Sequence, residues 1–140
     1  MSVVGTNVLV LAANKAAPDR ARAFSALVPL RAQSRVRVTR QILREYTAVV
    51  TRPQSWSAAL TPAEAVADVD VLIQRFDVLD DGPDVWRAPM GLTRRFAFGR
   101  KQVQGANIVT AMLAHGKAWL LTFNGADFRR FAPVIEAMAP

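Results

Sequence analysis

The stretch VVGTNVLVLA, residues 3–12, decides how the rest of the chain is read. It is a β-branched and aliphatic run interrupted only by Gly5-Thr6-Asn7, which fits a buried parallel strand ending in a polar turn. A strand that is apolar on both faces belongs inside a sheet covered on both sides. Polar residues at the end of such a strand fall where open α/β sheets bind ligands, beyond the carboxyl ends of their strands.

Working outward, helical and extended patterns alternate. Residues 19–30 carry a helical pattern with Ala23, Phe24 and Leu27 on one side, and residues 35–38 alternate as a short strand. Thr39 then precedes RQILREYTAVV, in which Ile42, Leu43, Tyr46, Val49 and Val50 recur at the spacing of one helix face until Pro53 ends it. LTPAEAVADVDVLIQRF holds the clearest helix start, with Thr61 as N-cap, Pro62 at the first helical position and Glu64 completing a capping box. Residues 76–79 read as a strand and residues 80–83 as a turn. Residues 84–98 are divided: Trp86, Met90 and Leu92 suggest a helix that Pro89 and Gly91 would break or kink. Residues 106–115 form a helix burying Ile108, Val109, Met112 and Leu113, closed by Gly116 as a left-handed C-cap. Residues 119–123 are a strand and residues 126–131 a helical turn or short helix. The alternation argues for a mostly parallel sheet with helices on both faces. It also places Thr6-Asn7 and the cluster from Asn124 to Asp127 at strand ends that meet in one cleft.

Composition narrows the function classes. A chain of 140 residues, 51% of them apolar, is expected to be a single domain with one core. No apolar run approaches the roughly 18–20 residues of a membrane-spanning helix, and no basic segment leads into a signal-like stretch, so a cytoplasmic protein without a membrane partner is expected. The chain has no cysteine and 1 histidine, so any metal would be held by oxygen. The net charge of +7, from 18 basic against 11 acidic residues, favours polyanions such as RNA.

VVGTNVLVLA, RQILREYTAVVTRP, and ANIVTAMLAHG followed by LLTFNGADFRRF together resemble the PIN domain, in particular the VapC-type toxins of toxin–antitoxin pairs, over nearly the whole chain. The resemblance implies a three-layer α/β/α sandwich. It also implies a metal-dependent endoribonuclease that hydrolyses RNA phosphodiesters with Mg2+ or Mn2+, forms a homodimer and pairs with a cognate antitoxin. Such a site needs clustered carboxylates, because hard divalent cations take oxygen ligands and a two-metal site stabilises both attacking and leaving oxygens.

Carried over residue by residue, the pattern is incomplete. Where the first strand should end in an aspartate followed by Thr or Ser and Asn, this chain has Gly5, Thr6 and Asn7. The second acid is matched by Glu45. Gly105 stands at the third acid position, in the first turn of the helix beginning beside Asn107, with Gln104 where relatives often have histidine. The fourth polar position falls between Asn124 and Asp127. Glu45 and Asp127 are thus the remaining metal ligands, with Thr6 and Asn7 orienting the site. Losing two of about four carboxylates roughly halves the charge that offsets dehydration of the ion. The resemblance therefore implies weakened or lost metal binding and reduced or absent catalysis.

Each residue also has a plainer reading. Gly5 can simply let the strand end bend, Glu45 can be a solvated helix-flank acid, and Asp127 can cap the turn that follows it. Asn7 can close an Asx turn. His115, Arg129 and Arg130 read as surface residues, and Trp56, Trp86 and Trp119 as packing residues rather than base-stacking ones. Three functions stay open: a VapC-type ribonuclease, a silent relative that still binds antitoxin or RNA, and a small-ligand module on a similar scaffold.

Overall fold

The first strand, β1, is shorter than the opening stretch predicts. It covers only Ser2–Val4, all three residues buried, and helix α1 (Thr6–Ala13) begins directly after Gly5. The reading of residues 3–12 as one strand is therefore corrected. A short apolar run looks the same as a buried strand or a buried helix. Here Val8, Leu9 and Val10 are buried in succession on a helix that is apolar nearly all round, so no amphipathic period marks it.

The computed structural model describes residues 2–33, 36–83 and 103–140. The divided segment at residues 84–98, Trp86 included, lies outside them, as does Arg35. After α1 come α2 (Arg20–Gln33), β2 (Arg37–Thr39), α3 (Arg40–Val50), α4 (Pro62–Arg75) and β3 (Asp77–Leu79). These are followed by α5 (Val103–Ala114), β4 (Trp119–Leu121), a 3-10 helix (Gly125–Phe131) and β5 (Glu136–Met138). The strands form one five-stranded sheet in the order β3-β2-β1-β4-β5, every pair parallel, flanked by helices in an α/β/α arrangement. The chain leaves β1 for β2 and β3 on one side, then returns to place β4 and β5 on the other. The order reverses at the β1–β4 pair, where Val3 lies beside Leu120.

Local chemistry accounts for the helix ends. The Thr39 hydroxyl accepts from Ile42 N at 3.2 Å, so β2 passes into α3 without a loop. At α4 the capping box is complete: Glu64 N donates to the Thr61 hydroxyl at 3.2 Å, and Thr61 N donates to the Glu64 carboxylate at 3.0 Å. Gly116 adopts φ 65°, with Gly116 N bonded to Leu113 O and Lys117 N to Met112 O, a Schellman close to α5.

Two other expectations are corrected. Ala23 and Leu27 face the core, but Phe24 is 51% exposed beneath the Arg20 guanidinium, 5.4 Å from its ring centroid. Trp119 is 49% exposed at the start of β4, whereas Trp56 is half-buried against the core. The strand β5 went unread because Glu136 and Ala137 are exposed on the sheet edge and give no apolar run.

Candidate active site

Gly5 ends β1 and begins the site. Its N–H donates to Leu121 O at 2.8 Å, extending the β1–β4 pairing by one residue, and its φ of −72° and ψ of 159° make it the N-cap of α1. Thr6 and Asn7 therefore occupy the first turn of a helix standing over the carboxyl end of the sheet. The Asn7 amide reaches across to β4: its Oδ1 accepts from Phe123 N at 3.2 Å and its Nδ2 lies 3.4 Å from the Thr122 hydroxyl oxygen. Thr122 in turn accepts from Asn124 N at 3.1 Å, so one hydroxyl ties the end of β1 to the turn that carries Asn124.

Glu45 arrives from α3. It is half-buried at the edge of the stripe formed by Ile42 and Tyr46, and its Oε2 accepts from the Thr6 hydroxyl at 2.6 Å. Gln41, one turn earlier and buried, donates to Oε1 at 3.4 Å. The Gln41 carbonyl accepts from Arg44, which also reaches the Asp81 carboxylate at 3.3 Å. Charge-assisted bonds of this kind fix the acid in one orientation. Glu45 is thus not the freely solvated flank acid of the plainer reading.

One cavity of about 950 Å3 joins these groups. Gly5, Thr6, Asn7, Glu45, Gln104, Gly105, Asn124 and Asp127 all line it, so the structure brings every residue singled out for the site together. It lies at the carboxyl ends of β1 and β4, the switch point where open α/β sheets accept ligands. Asp127 is exposed in the first turn of the 3-10 helix, whose Asn124 N-cap makes no side-chain cap bond. Arg129 and Arg130 share that helix but are not in the lining, and His115 sits away from the cavity with Nε2 2.9 Å from Asp80 O. Sequence reasoning missed Thr122, Gln41 and Arg44. Gln41 precedes Glu45 by one helical turn, a spacing that already puts the two side chains in reach.

The two glycines are not equivalent. A Cβ at Gly105 would meet Phe128 at 3.6 Å, ordinary contact, whereas at Gly5 it would meet Leu121 O at 3.1 Å and Thr122 Cβ at 3.3 Å. An acid fits directly at the first position and needs the β4 end to yield by a few tenths of an ångström at the second.

The donor set does not fit a tightly held divalent ion. Of the 11 acidic residues in the chain only Asp84 lies outside the described residues, and of the others only Glu45 and Asp127 line the cavity. Among the described residues no three His, Cys, Asp or Glu side chains are grouped to hold a metal. Magnesium surrenders its waters reluctantly, and two carboxylates supply little of the charge that would repay it.

No model of a known protein family matches the sequence, and no curated protein matches it. Solved structures do. VapC20 of Mycobacterium tuberculosis, a sarcin-ricin loop cleaving toxin, is similar with a TM-score of 0.71 at 16% identity, over 100% of both chains. VapBC2 of Rickettsia felis, bound to a promoter DNA fragment, gives a TM-score of 0.68 at 18% identity, over 99% of this chain and 97% of that one. FitAB bound to a DNA fragment gives 0.64 at 15% identity, over 100% and 95%. The chain has the PIN-domain fold. A PIN sheet accounts for the placement of the cavity, and no helix of the described residues is long and apolar enough to cross a membrane.

Proposed function

We propose that this chain is a VapC-like PIN-domain protein that engages RNA and a cognate antitoxin at the switch-point cavity, with metal-dependent hydrolysis reduced far below that of a fully acidic PIN site. The observation that carries the reading is the cavity itself: Glu45 is held there by Thr6 and Gln41, and Gly5 and Gly105 stand beside it without side-chain oxygens. In such a site Glu45 and Asp127 are the residual ligands for Mg2+ or Mn2+, Thr6 orients Glu45, and Asn7 orients the turn bearing Asn124. Two carboxylates would hold such an ion weakly.

The partners follow from the same reading. The similar VapBC2 and FitAB structures are complexes on DNA, and VapC20 is a sarcin-ricin loop cleaving toxin, which supports an antitoxin partner and an RNA ligand here; a homodimer is proposed with them on the resemblance alone. The basic balance of +7 supports RNA independently.

The deciding experiment compares manganese binding by calorimetry and cleavage of structured RNA for the unmodified chain, for Gly5→Asp/Gly105→Asp, and for that variant with Glu45→Ala. The expected result is weak or absent binding and cleavage in the first, gain of both in the second, and loss again in the third. Strong manganese-dependent cleavage by the unmodified chain would refute the reduced activity. A double variant that neither binds metal nor cleaves would refute the assignment of the acid positions.

A further inference from the structure

The cavity extends well past the acid positions. Its far end is built from Arg52, Gln54 and Trp56, which follow α3 in the connection to α4 and are tied in place by the backbone. Gln54 and Ser57 exchange N–H···O bonds of 2.8 and 3.3 Å, Arg52 N donates to Val49 O at 3.1 Å, and Leu60 N donates to Val50 O at 2.8 Å. A connection bonded this often to itself and to α3 presents its side chains from a fixed frame.

The three side chains offer complementary chemistry. Arg52 anchors its Nε on Ala48 O at 2.9 Å, and its two terminal nitrogens make no further bond among the described residues. An arginine pinned at its root with the fork open suits a phosphate, because little freedom is lost on binding. Gln54 donates its amide nitrogen to Val49 O at 3.0 Å and Arg52 O at 3.4 Å. Since both partners are carbonyls the orientation of the amide is settled, and its Oε1 is left to accept. Trp56 packs one part of its indole against the core while also lining the cavity, so an aromatic surface of fixed position meets solvent-filled space. The packing expected of Trp56 is real but incomplete.

We propose that Arg52, Gln54 and Trp56 form a subsite for one unpaired nucleotide of RNA, with Arg52 on a phosphate, the base stacked on Trp56, and Gln54 Oε1 accepting from a base N–H. Arg52 stands two residues beyond the end of α3, and Glu45 lies five residues before that end, about 7.5 Å along the helix axis. A strand entering the cavity would thus pass Glu45 and place a nucleotide on Trp56. Stacking needs a free base face, so the subsite takes single-stranded or looped RNA rather than a duplex. This binding requires no metal. The inference rests on the RNA reading above and adds the residues that hold the strand.

The test is fluorescence anisotropy of a short labelled unpaired oligoribonucleotide, titrated with the full chain in EDTA at several salt concentrations. Trp56→Ala is expected to weaken binding by about tenfold or more and Trp56→Phe to restore most of it. Arg52→Ala, at an exposed position that does not threaten folding, is expected to weaken binding and lower the salt slope by about one. Arg75→Ala, beside β3 in a separate small cavity, serves as the control and should bind like the unmodified chain. Binding by the unmodified chain that Arg52→Ala and Trp56→Ala leave unchanged overturns the subsite and leaves the RNA reading standing. Absence of oligoribonucleotide binding by the unmodified chain overturns both. Equal affinity for the same sequence annealed as a duplex overturns the stacking.

Discussion

Placing aspartate at positions 5 and 105 should have opposite effects on stability in the absence of metal. Gly105 lies in the first turn of α5, which carries no acid there, and a Cβ at that position finds only ordinary contact with Phe128. Replacing glycine inside a helix recovers a few tenths of a kcal/mol, and an acid near the positive end of the helix adds about 0.3–1 kcal/mol. Gly105→Asp should therefore be neutral to stabilising by about 1 kcal/mol. At Gly5 the N-cap role also welcomes an aspartate, but its Cβ would sit 3.1 Å from Leu121 O, and the backbone carbonyl must move. Crowding of a packed site costs about 1–3 kcal/mol, which outweighs the gain of a few tenths from a better cap.

Metal should reverse the balance. A ligand that binds only the folded state at 100 times its Kd stabilises by about 2.7 kcal/mol, which at about 4 °C per kcal/mol for a chain of this size is a rise of about 10 °C in Tm. Differential scanning fluorimetry with EDTA and with manganese should show Gly5→Asp melting below and Gly105→Asp at or above the unmodified chain. Only the double variant should then gain about 10 °C with manganese. A comparable manganese shift in the unmodified chain would show that two carboxylates suffice, and the argument from donor number would fall. A Gly5→Asp variant as stable as the parent would show that the β4 end yields freely.

Three smaller tests probe the frame and the partner. Tyr46→Phe should destabilise by about 1–2 kcal/mol in urea unfolding, since the buried phenol donates to the Asp68 carboxylate at 2.8 Å and joins α3 to α4. Burial first, then the bond to Asp68 and its charge, holds the Tyr46 hydroxyl well above the ordinary tyrosine range, so its contribution is complete below about pH 10 and is lost as pH rises further. Tyr46→Phe should flatten that alkaline decline, and an unchanged decline would assign it elsewhere. Thr61→Ala should cost about 1 kcal/mol by removing the N-cap oxygen of α4, read as a lower urea midpoint at constant slope. An arginine-bearing antitoxin arm should bind the Gly5→Asp/Gly105→Asp variant more tightly than the unmodified chain in titration calorimetry, and equal affinities would mean the arm does not read this cavity.

What the sequence disclosed and what it hid follow from the range of the interactions involved. Thr61, Pro62 and Glu64 make contacts within one turn, so their pattern carried the whole message. Gly116 likewise declared a left-handed residue that the φ of 65° confirms. Thr6, Asn7 and the cluster from Asn124 to Asp127 were legible because polar residues at the ends of apolar runs mark the mouths of parallel strands. Residues 8–10 misled because apolar character without period does not distinguish a buried strand from a buried helix. Thr122 was invisible as the link between β1 and the Asn124 turn, since its partner Asn7 is remote in sequence and the bond exists only after β4 pairs with β1. Arg52, Gln54 and Trp56 were hidden for a related reason: only the fold of the connection after α3 turns them toward the cavity.

Glycine at both positions, where the resemblance leads one to expect aspartate, bears on the charge balance of the cavity as well as on its ligand count. The first turns of α1 and α5 both reach the cavity through Thr6, Asn7, Gln104 and Gly105, and neither turn contains an acid. Helix amino ends carry partial positive charge, which an aspartate at each would have offset. Without them the remaining acids, Glu45 and Asp127, share the lining with Arg44 and Arg52, and Glu45 is already engaged by Thr6 and Gln41. A cation is held less strongly by such a cavity than by one with two further carboxylates, while a phosphate meets less repulsion. Under the proposed function, weaker hydrolysis and continued RNA binding would follow from one electrostatic difference, and in EDTA the affinity for RNA should be higher in the unmodified chain than in its double-aspartate variant. The opposite order, measured at matched ionic strength, would show that phosphate contacts elsewhere on the surface dominate.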